Sequence, residues 1–109
     1  MTTKEILIAA RAKIADEKNW TQGELARDAK GDPCKPLSPE AVCWCTDGAL
    51  RFAQGEDNLY ARSYGPIGAL MEALSLEKDP STTIPWRYND SHTHAEVLAI
   101  FDRAIAAQS

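Results

Sequence analysis

Four residues of this 109-residue chain have the types that a thiol-dependent hydrolase or transferase needs. Cys45 could be the nucleophile, His94 its base, and Asn89 or Asp90 the group that orients the imidazole. Asp90 precedes His94 by four residues, within reach of its ring or of the helix N-terminus that follows. A second combination, Cys43 and Cys45 with His92 and His94, has the donor set of tetrahedral zinc. A third, Trp86-Arg87-Tyr88 directly ahead of Asn89-Asp90, has the residue types that protein-binding hot spots favour.

Each combination depends on the elements that carry it. Ser38 as N-cap, Pro39 at the first helical position and Glu40 in the first turn predict a helix from 39 to about 54, stopped by Gly55. On that helix Cys43 and Cys45 point about 200° apart, at roughly 100° per residue, so one metal cannot take both. No metal site or cofactor is expected. The same helix puts Cys45 at its seventh position, where the backbone N–H groups are paired and do nothing to favour a thiolate. Cys45 then reads as a small buried residue, and Cys34, in a Pro-flanked loop, as an exposed one. Ala41, Val42, Cys45, Gly48, Ala49, Phe52 and Ala53 share one arc of the wheel, with room for a neighbouring helix to approach closely at Gly48.

The other elements follow from caps and periodicity. Thr2 and Glu5 form a capping box ahead of Ile6, Leu7, Ala10 and Ile14, predicting a helix over 3–18, with Trp20 folding back as an anchor. Residues 21–37 carry two signals. Thr21 and Glu24 could cap a short helix, while the Lys-Gly-Asp-Pro punctuation favours an irregular β-hairpin near 22–36. Asp57 or Asn58 can cap a segment in which Leu59, Tyr60, Tyr64, Ile67, Leu70, Met71 and Leu74 recur at helical spacing, kinked or split at Gly65-Pro66. Residues 76–92 read as a Pro- and Thr-rich connector. Thr93 and Glu96 form another capping box, and Val97, Leu98, Phe101, Ala104 and Ile105 the buried stripe of the last helix. His94 projects along that stripe, whereas His92 lies outside the helix and points to solvent.

These pieces make a mainly α, single-domain helical bundle of about four helices spanning 1–109. The 44% hydrophobic and 26% charged composition is that of a globular chain, and a net charge of −4 gives no reason to expect nucleic acid or anionic lipid. The first apolar run, Ile6 to Ala10, is too short for a secretory core or a membrane span. Three cysteines, two of them one residue apart, make a poor disulfide framework, so a reduced, cytoplasmic chain is expected.

"WTQGELARDAKG", "CWCTDGAL" and "ND…THAEVLAIFDRAI" together resemble a family of small uncharacterised domains of bacteria and their phages. In that family an aromatic residue precedes Asn-Asp and a Thr-His-x-Glu-Val run follows a short turn, as Tyr88, Asn89, Asp90, Thr93, His94, Glu96 and Val97 do here. Similar chains often have Gly-Arg in place of Ser91-His92, which makes His92 incidental. The resemblance implies a fold and a candidate surface but no reaction. The expectation is a binding or accessory module, its partner a protein, with Trp86, Arg87, Tyr88, Asn89, Asp90 and His94 as binding residues. The alternative is the thiol enzyme of Cys45, His94 and Asp90 or Asn89.

Overall fold

The computed structural model describes residues 1–56, 65–78 and 81–108. Five helices and one two-stranded antiparallel sheet make up the described chain, a mainly α fold. Helix α1 (Thr3–Lys13) opens on the expected capping box, with Thr2 Oγ1 accepting from Glu5 N at 3.1 Å and Glu5 Oε1 from Thr2 N at 2.9 Å. It ends five residues earlier than periodicity predicts. Asp16 accepts a hydrogen bond from Lys18 N and starts a separate 3-10 turn, Glu17–Asn19. A carboxylate that bonds its own downstream backbone competes with helix continuation.

Two residues, Ala26–Arg27, form strand β1. The hairpin-like loop expected here exists: Asp28 Oδ1 accepts from Lys30 N and Asp32 N, Gly31 takes a left-handed φ of 85°, and Arg27 bridges to Pro33. The ladder partner of β1, however, is strand β2 (Cys43–Trp44), with Ala26 opposite Trp44 and Arg27 opposite Cys43.

That pairing overturns the helix predicted from residue 39. Ser38 does accept a bond from Glu40 N, but the turn goes no further, and Val42 N instead donates to Arg27 O at 2.9 Å. Val42-Cys43-Trp44 suits extended backbone, and ladder bonds together with burial of Trp44 outweigh a local cap. Helix α2 is therefore Thr46–Gln54, with Cys45 as its N-cap and Gly55 ending it at a φ of 70°.

Helix α3 (Pro66–Ser75) begins with Pro66 at its first turn, so Gly65-Pro66 starts a helix here. The segment expected ahead of it, with Asp57 or Asn58 as cap and Leu59, Tyr60 and Tyr64 following, lies outside the described residues. The predicted connector over 76–92 contains helix α4 (Pro85–Ser91), again begun by a proline. Helix α5 (His94–Ala106) carries the second capping box, Thr93 with Glu96. Its buried stripe is Val97, Ile100, Phe101 and Ala104, while Leu98 and Ile105 sit half-buried at its edge.

Helix α1 packs on α2 and α5, and α3 packs on α5. The core draws Leu7 and Ala10 from α1, Leu50 from α2, Leu70 and Leu74 from α3, Tyr88 from α4 and Phe101 from α5. Arg11 Nε and Nη2 clamp both carboxylate oxygens of Asp102 at 2.6 and 3.2 Å, fixing α1 against α5. Among the described residues no helix is long and apolar enough to cross a membrane.

Candidate functional site

Asn89 is fully buried and is the polar centre of the structure. Its Oδ1 accepts from Trp20 Nε1 at 2.7 Å, Thr46 Oγ1 at 3.0 Å and Thr46 N at 3.1 Å. Its Nδ2 donates to Thr21 O at 3.0 Å and Asp90 Oδ1 at 3.1 Å. Asp90 Oδ1 also accepts from Gly23 N at 2.9 Å, and Gln22 Nε2 donates to the carbonyls of Asn89 and His92. The Asn89 side chain thus caps the first N–H of α2 and holds Trp20 and Thr21, while Asp90 and the carbonyls of Asn89 and His92 hold Gly23 and Gln22.

The catalytic alternative is not assembled by this network. Cys45 stands at the N-cap of α2, not at a seventh position, which is the setting that could activate a thiolate. Burial decides the opposite: only 4% of the residue is exposed, and desolvation pushes the thiol from 9.0 to about 12 despite a hydrogen bond from Gly48 N to Sγ. His94 Nε2 lies 2.7 Å from the carbonyl of Ile14, and since a carbonyl only accepts, that nitrogen carries the proton. The imidazole ties the end of α1 to the start of α5 and lies 5.4 Å, ring centre to ring centre, from Trp20. Among the described residues no hydrogen bond joins Cys45 to His94 or His94 to Asp90.

The zinc quartet is likewise dispersed. Cys43 is half-buried, with Sγ 3.9 Å from Arg27 O, and Cys45 faces Gly48 N, so the two thiols diverge for a different reason from the helical one expected. His92, expected in solvent, is half-buried: its ring stacks on Tyr88 at 3.6 Å, with Nδ1 3.0 Å from Tyr88 O. Among the described residues no group of three or more His, Cys, Asp or Glu could hold a metal ion. Cys34 is half-buried against the core rather than fully exposed, and burial, then Asp28, raise its thiol.

Of the six residues expected to bind, the structure turns three inward and three outward. Tyr88 and Asn89 are buried and His94 is half-buried, whereas Trp86, Arg87 and Asp90 are exposed. Trp86 is 46% exposed and carries the Arg87 guanidinium 5.3 Å from its ring centre. Around it run two depressions that meet at Leu25. A cleft of about 500 Å³ is lined by Leu25, Asp47, Arg51, Ile67, Met71, Ile84, Pro85 and Trp86. A groove of about 230 Å³ on the other side is lined by Gly23, Glu24, Leu25, Cys45, Trp86 and Asp90.

Leu25, Met71 and Ile84, with the Glu24 carboxylate, are among the parts of this surface that sequence reasoning missed. Leu25 reaches it because Gly48 lets the backbone just ahead of β1 lie directly on α2: a Cβ there would stand 1.9 Å from Leu25 O. Gly48 was legible as a point of close approach, although the neighbour is the Leu25 backbone ahead of β1 and not the helix expected.

The match to known proteins is of one kind. A model described as a family of unknown function (DUF6197) covers residues 1–107, and the chain belongs to that family. No curated protein and no solved structure matches it.

Proposed function

We propose that this chain is a small binding module whose partner, a protein, is held on the surface around Trp86. The observation that carries the reading is the contrast within α4. Pro85, Tyr88 and Asn89 are buried, while Trp86 between them stands 46% exposed. An indole on a seven-residue helix fixed by a buried polar hub is presented in one position, so little ordering entropy is lost when a partner covers it. Met71 and Ile84 are exposed apolar residues of the same cleft, and aromatic anchors beside apolar pockets are where binding energy concentrates. Three free cysteines suit a reducing compartment, so the module acts in the cytoplasm.

The test is affinity capture from the native cell with Trp86→Ala beside Ile8→Ala, an exposed apolar residue of α1 that lines neither depression. Capture is expected to fall about tenfold or more for Trp86→Ala, the scale of a hot-spot anchor, with little change in thermal midpoint. Equal capture by wild type and Trp86→Ala would remove this surface as the binding site.

A further inference from the structure

Resting on that reading, we infer that the groove between residues 23–25 and α4 accepts a basic side chain of the partner, an arginine in preference. The groove has an aromatic wall in Trp86, an apolar floor in Leu25 and the buried Cys45, and two exposed carboxylates, Glu24 and Asp90, at its rim. None of its lining residues is a cation. Its volume of about 230 Å³ is that of one long side chain rather than of a drug-sized ligand, whose pockets begin at about 300 Å³.

The chemistry of the rim is complementary to a guanidinium in two ways. An indole face attracts a cation through its quadrupole, and Arg87, 5.3 Å from the Trp86 ring centre, already uses it so. The two carboxylates supply acceptor oxygens of the opposite charge. Asp90 Oδ1 is committed to Gly23 N and Asn89 Nδ2, which hold the carboxylate in place and leave Oδ2 directed away from that pair. Arginine is preferred to lysine because its planar group can stack on the indole while bonding a carboxylate. The neighbouring cleft, with Ile67, Met71 and Ile84, takes an apolar residue of the same partner segment on the other side of Trp86. The chain's net charge of −4 assists approach of such a basic segment and makes the association weaker at higher salt.

The probe is N-acetyl-arginine methylamide, titrated into the full ¹⁵N-labelled chain, with N-acetyl-lysine methylamide and the uncharged citrulline analogue alongside. The arginine probe is expected to shift the Trp86 indole N–H and the amides of residues 23–25 and 90, binding about tenfold more tightly than citrulline. Glu24→Gln, and Asp90→Asn, which keeps an acceptor oxygen for Gly23 N, should each weaken the arginine probe without loss of fold. Arg87→Ala, which removes the chain's own cation from the ring, should not. Arginine and citrulline binding alike, or shifts mapping elsewhere, would overturn the assignment. The two readings fail separately. Capture lost in Trp86→Ala with the probe silent at residues 24 and 90 refutes the basic occupant and spares the surface. Capture retained by Trp86→Ala refutes the surface, and the arginine-to-citrulline ratio then decides the groove by itself.

Discussion

A single buried amide decides how α4, α2 and residues 20–23 sit together. Removing the Asn89 side chain strands a Trp20 indole N–H, the Thr46 amide and hydroxyl, and the Thr21 carbonyl. Each buried polar group left without a partner costs about 1–3 kcal/mol, so Asn89→Ala should destabilise by at least about 3 kcal/mol in urea unfolding. Asn89→Asp is a sharper probe. It retains the accepting oxygen but sets a second one against Thr21 O and Asp90 Oδ1, so it too should lose stability at neutral pH. A loss within about 1 kcal/mol for both would show that the hub relaxes around the change. The Asn-Asp pair was legible in the sequence as a polar junction before a helix. Its partners were not, because Trp20 and Thr46 stand 69 and 43 residues away, and only the tertiary fold brings them there.

At the scale of elements, what could be read was what is decided locally. Thr2/Glu5 and Thr93/Glu96 close their boxes within four residues, and both helices start where those boxes predict. The helix expected from Ser38 failed because its competitor was non-local: β1 offers Val42 and Cys43 backbone partners that no neighbouring residue reveals. Helix α4 was missed for the opposite reason, a weak seven-residue pattern that exists through Tyr88 and Asn89 anchoring it in the core. Thr93→Ala should cost about 1 kcal/mol, the usual value of an N-cap, and an unmoved denaturation midpoint would contradict the box. The boxes also set a pH dependence. The Thr2 and Thr93 backbone N–H groups hold the carboxyls of Glu5 and Glu96 below 4.5. A carboxylate depressed in the folded state contributes stability above its unfolded value and loses it as the pH falls through the folded one. Melting temperature should therefore decline below about pH 4.5, and Glu96→Gln, which keeps the acceptor without the proton, should flatten part of that decline.

For the whole molecule, Cys45 reports whether the chain opens as a unit. The thiol lies in the N-cap of α2, beneath β1 and beside the Asn89 hub, so a reagent reaches it only when these separate. Only the thiolate reacts, and burial that raises the thiol to about 12 suppresses that form in the closed state as well. Timed labelling at neutral pH should accordingly modify the half-buried Cys34 and Cys43 first and Cys45 last, at a rate set by opening. Low concentrations of urea should accelerate Cys45 more steeply than the other two, because its exposure requires a larger area to open. Asn89→Ala should raise that rate by the factor that its lost stability predicts. Alkali acts in the same direction. A thiol at 9.0 when unfolded and about 12 when folded stabilises the fold fully below pH 9 and progressively less as the pH climbs towards 12. Cys45→Ala should remove that part of the alkaline loss even though it leaves Gly48 N without its acceptor. Cys45 reacting as fast as Cys43 in the native protein would mean that the groove floor is open to solvent, and the thiol would then have to be weighed again as a nucleophile.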